Sequence, residues 1–190
     1  VLHSALFYLL SSKSIMFKIT IYILTIIHAI CWSSTSYAKG TYLEPEKFLQ
    51  QVFNNNPPEP KKLWIKKDLK AEIKKILGHN LKALRLRYWD DDTKRAWILE
   101  EIGRDKLITV GLVTANGEIL EVKVLIFRES RGWEVKYPFF TDQFKGATLV
   151  SDNNLDRKID GITGATLSVN ALTKLGRIAL LLHKHLDEKK

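Results

Sequence analysis

The residues best placed to do chemistry are Asp160-Gly161-Ile162-Thr163-Gly164-Ala165-Thr166-Leu167-Ser168, an acid, two glycines and three hydroxyls that run straight into a helical pattern. Where a loop becomes a helix, the first backbone N–H groups lack intrahelical acceptors and the macrodipole adds positive potential. Such a place favours an anion, and phosphate above all. Glycine lets the backbone approach the guest closely, and the hydroxyls of Thr163, Thr166 and Ser168 can donate hydrogen bonds or take a covalent bond. A hydroxyl at a helix start is also an ordinary N-cap. On the residues alone, both readings stand.

Positioning this loop requires a helix behind it and a surface on which that helix packs. From Val169, apolar Leu172, Leu175, Ile178, Ala179, Leu182 and Leu186 recur at three- and four-residue steps, which predicts a C-terminal helix laying one stripe on a sheet. The sheet is announced by LITVGLVTANGEILEVKVLIFRES, two β-branched runs around Asn116-Gly117, a pair that allows the positive φ angles of a tight hairpin. KALRLRYW and RAWILEEIG predict two more strands joined by the acidic turn DDDTK. GWEVKYPFF predicts a further strand, TDQFKG a short helical turn and ATLV a brief extended piece. Upstream, YLEPEKFLQQVF predicts a short helix broken by NNNPPEP. Residues 68–78 predict another helix, with Asp68 as N-cap acid, Leu69, Ile73, Ile76 and Leu77 as buried face, and Gly78 as stop. The expected class is α+β: a mainly antiparallel sheet with a central hairpin, packed by an N-terminal helix and a C-terminal amphipathic helix.

With 190 residues and 45% apolar content, the chain can bury one ordinary core. Residues 1–38 do not belong to it. From Met16, a candidate start, they hold one basic residue, Lys18, then an apolar stretch from Ile19 to Trp32 and a small polar segment ending Ser36-Tyr37-Ala38. Small residues at those two positions fit a signal-peptidase site, and the apolar run is short for spanning a bilayer. The expectation is export to the periplasm by a signal peptide over residues 1–38, followed by a helical segment at 39–79 and the main domain at 80–190. The alternative is an uncleaved segment anchoring the chain in the inner membrane. The lone cysteine, Cys31, lies in the apolar stretch, so the rest needs neither disulfide nor thiolate metal site.

The formal net charge of +9 favours acidic partners, phosphate groups or an anionic surface. The densest basic run, PKKLWIKKDLKAEIKK, reads as the solvated face of a helix, and no zinc-finger spacing or RNA-binding aromatic signature accompanies it. Nucleic acid is therefore not an expected partner. His79 follows a helix-ending glycine and is expected exposed. His183 and His185 lie two apart on the last helix, too far round it to share a metal.

The spacing Asp160-x-x-Thr163-Gly164-Ala165-Thr166 resembles the flavinylation motif of the FMN-binding domain family. Its best-known members are the flavin-carrying periplasmic subunits of the sodium-translocating NADH:quinone reductase and of the Rnf electron-transport complexes. The likeness extends upstream through the hairpin VGLVTANGEILEVKVL, the segment Glu129-Ser130-Arg131-Gly132 and the DQFKG stretch at Asp142–Gly146, over roughly residues 80 to 185. The larger members keep a membrane anchor and a bigger domain, and often have Thr-Pro where Glu129 is here followed by Ser-Arg. The resemblance thus points to a small, stand-alone flavin carrier.

The resemblance implies FMN bound covalently, its phosphate joined to the Thr166 hydroxyl by a separate FAD:protein FMN transferase. Asp160, Thr163, Gly164 and Ala165 map to the part that the transferase reads, with Ser168 in support. Glu129 and Ser130 either line the flavin phosphate or ribityl chain or are simply a charged hairpin end. Trp89, Trp97, Trp133 and Tyr137 either stack on the flavin ring or belong to the core. The implied partners are a membrane-bound electron donor or acceptor, such as a reductase or cytochrome. With no catalytic base, nucleophile or substrate pocket visible, an electron carrier is favoured over an enzyme. The alternatives are the flavin module of a periplasmic reductase, and a binding module that holds flavin loosely or not at all.

Overall fold

The computed structural model describes residues 40–189. The expected signal peptide, its cleavage site after Ala38, the candidate start Met16 and Cys31 lie outside the described residues. Among the described residues, no helix is long and apolar enough to cross a membrane.

Five strands form one antiparallel meander in the order β1-β2-β3-β4-β5. They are β1 Lys61–Trp64, β2 Arg85–Asp90, β3 Arg95–Ile102, β4 Leu107–Ala115 and β5 Glu118–Phe127. The helices are α1 Pro45–Val52, α2 Lys67–Leu77, the short α3 Pro138–Thr141 and α4 Thr166–Asp187. The β4–β5 hairpin turns at Asn116-Gly117, where φ is +50° and +77°, as the pair predicts. The α+β class, the central hairpin and the two packing helices are thus as expected.

The sheet is covered on both faces. On one, α1 packs Phe48, Leu49 and Val52 against Ala96, Val113 and Leu125. On the other lies the larger core, in which α4 and α2 meet Trp97, Leu99, Ile108, Val110 and Leu112 of the sheet. Every residue from Ile178 to His183 is buried, so α4 is enclosed on more than the single stripe its periodicity predicted. One edge of the sheet is closed by residues 40–43, where the N–H groups of Tyr42 and Leu43 donate to Leu125 O. The other edge, β1, buries only Leu63 and turns its lysines to solvent, which discourages pairing with other chains.

Three local expectations are corrected. GWEVKYPFF is not a strand: Gly132 at φ +81° turns the chain into a 3₁₀ turn at Trp133–Lys136, and Pro138 opens α3 at its first turn, where a missing N–H costs nothing. Its buried residues, Gly132, Val135 and Phe140, do not alternate as a half-buried strand requires. The basic run 60–75 is not all helix, because Lys61–Trp64 is the edge strand β1 and α2 begins only at Lys67. Asp68 lies inside the first turn of α2, and the N-cap is Lys66, without a side-chain capping bond.

Candidate functional site

α4 starts at Thr166, with Ala165 at the N-cap, no side-chain capping bond and no acid in the first turn. Ala165 N–H is used by Ile162 O, and Val169 N–H returns to Ala165 O. The N–H groups of Thr166, Leu167 and Ser168 therefore have no intrahelical acceptor. Before them, Gly164 sits at φ +82° with open space where a Cβ would stand, so the loop can turn into the helix without a side chain over the opening. Thr166 is exposed, whereas Ala165 and Ser168 are buried.

The segment after β5 closes the other side. Gly132 lies against the helix start, and a Cβ there would sit 2.6 Å from Ser168 Oγ and 3.4 Å from Ala165 Cα. This contact carries Glu129, Ser130 and Arg131 to the rim. With Arg104 from the β3–β4 turn and residues 164–168, they line a cavity of about 260 Å³. Gly164, Ala165, Thr166, Ser168, Glu129 and Ser130, separated by more than thirty positions in sequence, thus share one cavity.

Glu129 serves that turn directly. Its Oε1 accepts the backbone N–H groups of Arg104, Asp105 and Lys106 at 2.6, 2.7 and 2.8 Å. Burial pushes its carboxyl up, but these three bonds and the nearby Lys106 charge outweigh burial and hold it below the usual range. Glu129 is an anionic pin that fixes the turn presenting Arg104.

Asp160 and Thr163 lie on the exposed loop and do not line the cavity. Asp160 N–H donates to Gln143 Oε1 at 2.7 Å. Arg157 holds the same loop from behind, donating to Lys145 O at 3.0 Å and Gly146 O at 2.8 Å. Gln143, Arg157, Arg104 and Arg131 escaped the sequence reading, although Arg131 stands inside a singled-out segment and Arg157 three residues before the motif.

The four aromatic candidates divide. Trp97 is fully buried, stacked on Tyr88 at 5.3 Å, and its Nε1–H donates to Thr114 Oγ1. Trp89 is half-buried against the α1 core. Trp133 and Tyr137 keep exposed faces around Lys136, whose Nζ is 5.0 Å from each ring. His79 is exposed, as expected, and its Nε2 pairs with Glu101. No cluster of metal-ligating residues occurs among the described residues.

Two arginines, a bare helix start and an exposed hydroxyl on one cavity suit a phosphate ester. Residues 104–180 match the model of the FMN-binding domain family. That stretch is similar to an FMN-binding domain. The match begins at Arg104 and includes every residue lining the cavity. No curated protein and no solved structure matches the chain. The likeness supports FMN as the ligand and, in general terms, electron transfer as the function. The geometry fits the phosphate end of that ligand, since Arg104, Arg131 and the start of α4 line an opening that no capping side chain fills.

Proposed function

We propose that the chain is a periplasmic electron carrier whose FMN is joined through its phosphate to Thr166 Oγ1. The observation supporting this reading is the position of that hydroxyl, exposed at the first residue of an uncapped helix and on one cavity with Arg104 and Arg131. Thr166 Oγ1 supplies the nucleophile for attachment: a bond forms from it to the FMN phosphorus of FAD, the pyrophosphate bond breaks, AMP leaves, and the hydroxyl proton passes to solvent. Asp160, Thr163, Gly164 and Ala165 offer the exposed loop to the transferase. Once attached, the N–H groups of Thr166, Leu167 and Ser168 and the two guanidinium groups hold the phosphate in place. When bound, the flavin supplies the redox chemistry, and the chain tethers and orients it.

Tethering has a physical use in the periplasm, where a dissociated cofactor is lost to dilution. The donor or acceptor on this reading is a membrane-bound reductase or cytochrome. The short apolar stretch and the Ser36-Tyr37-Ala38 site support export, with a mature N-terminus at or near Lys39. N-terminal sequencing that still found residues before Ser33 would favour the anchored form. The attachment itself is tested by co-expression with an FAD:protein FMN transferase, then denaturation and gel filtration. Yellow colour that stays with the unfolded chain supports it, and colour that elutes as free FMN refutes it.

A further inference from the structure

A second cavity, of about 450 Å³, opens where the sheet splays apart. β2 pairs with β3 over three rungs only, from Asp90↔Arg95 to Tyr88↔Trp97, while its other half stays with β1. From Ile98 onward, β3 has β4 on one edge and no strand paired on the other among the described residues. The gap is walled by Ile73 and Leu77 of α2, Leu86 of β2, Leu99 of β3, and Leu175 and Ile178 of α4. At one end stands Glu101, its side chain 5% exposed. His79 Nε2 lies 3.0 and 3.1 Å from its two oxygens and Lys174 Nζ 3.7 Å from Oε1, and Lys174 also donates to Leu77 O at 2.7 Å.

We propose that this cavity is a ligand site distinct from the flavin site, taking a neutral, planar apolar molecule with a carbonyl or phenolic oxygen at one end. The volume is within the range of small-molecule pockets, and an apolar wall with a few convergent polar groups is their usual composition. Charge decides the polar end of the ligand. Lys174 and Glu101 already offset one another, so a charged group would leave one of them unbalanced, whereas a neutral oxygen would not. A donor for that oxygen lines the cavity: the side-chain amide of Asn80 carries two N–H groups. The unpaired rungs of β3 add backbone N–H groups beside the wall. Nothing in the site requires flavin, so the proposal stands or falls separately from the attachment at Thr166.

The test uses full-length protein made without a transferase, titrated with the solvatochromic naphthyl ketone prodan. Wild type should give a saturable blue shift of emission at one site. Ala83→Phe, which pushes a ring into the cavity from its half-buried lining, should weaken binding at least about tenfold. Phe139→Ser, in the exposed aromatic cluster, should leave it unchanged. Absence of saturable binding, full binding by Ala83→Phe, or loss in Phe139→Ser would overturn the proposal. Should Ala83→Phe fail to fold, methyl spectra of wild type decide: prodan must shift Leu99, Leu175 and Ile178, and shifts confined to other methyls reject the site.

Discussion

The two ends of α4 are built in opposite ways. At the C-terminal end every strong group has a partner. Arg95, 5% exposed, donates to Asp90 Oδ2 at 3.2 Å, His183 O at 3.2 Å and Asp187 Oδ1 at 2.7 Å. Thr114 Oγ1 accepts from Trp97 Nε1 and meets His183 Nδ1 at 2.9 Å. Burial pushes the Arg95 guanidinium down, but its bonds to Asp187 and Asp90 outweigh burial and raise it above its ordinary value. At the N-terminal end the helix has no capping bond and no first-turn acid, and exposes Thr166 beside two arginines. One end uses its hydrogen bonds to hold the fold; the other leaves donors over for a ligand. Disturbing the first should therefore cost stability and spare loading with FMN, and disturbing the second should do the reverse.

The largest expected effect is at the satisfied end. Arg95→Met leaves the buried Asp90 only Asp92 N–H at 2.9 Å and Lys61 Nζ at 3.8 Å, and should cost about 3 kcal/mol in urea denaturation, with the folded fraction still accepting FMN. A loss under about 1 kcal/mol would mean that the network adds little. Gly132→Ala should join the two ends of the comparison. The residue holds φ +81°, and the new methyl would press on Ser168 and Ala165, so a loss of about 1–3 kcal/mol should accompany reduced loading. Destabilisation with full loading would show that the contact does not shape the site.

Gly117→Val, at φ +77° in the hairpin, should cost at least about 1 kcal/mol and leave loading intact. An unchanged denaturation midpoint would contradict the turn. A smaller effect is expected from Glu129→Gln, about 0.5–1 kcal/mol, since the amide oxygen can still accept from the turn. Because the folded carboxyl is held below its ordinary value of 4.5, its contribution is complete above that pH and fades as pH falls through the folded value. The gap between wild type and variant should therefore close in acid, and a gap that widened there would reverse the assigned sign.

What was legible in the sequence is what local chemistry decides. Asn116-Gly117 fixes a turn by its φ preference, and Leu172, Leu175, Ile178 and Leu182 mark a helix by their period. β1 was hidden because four residues with a single buried leucine carry no period, and the lysines that guard an edge look like those of a helix surface. GWEVKYPFF looked extended because aromatic and β-branched residues favour strands, yet Gly132 and Pro138 dictate turns. Within the site, the motif from Asp160 to Ser168 was readable from its spacing. Arg104 and Arg131 were not, because they reach the cavity through a turn pinned by Glu129 and a glycine packed on the helix start, contacts that only the folded chain brings together.

The central claim, one FMN on Thr166, is tested most directly by intact-protein and peptide mass spectrometry after co-expression with the transferase. Wild type should gain the mass of one FMN less one water, mapped to the peptide containing Thr166. Thr166→Val should gain nothing while its unfolding free energy changes by less than about 0.5 kcal/mol, since the exposed hydroxyl makes no capping bond. A Thr166→Val chain that still carries the added mass, or a wild type that never acquires it, would contradict the account.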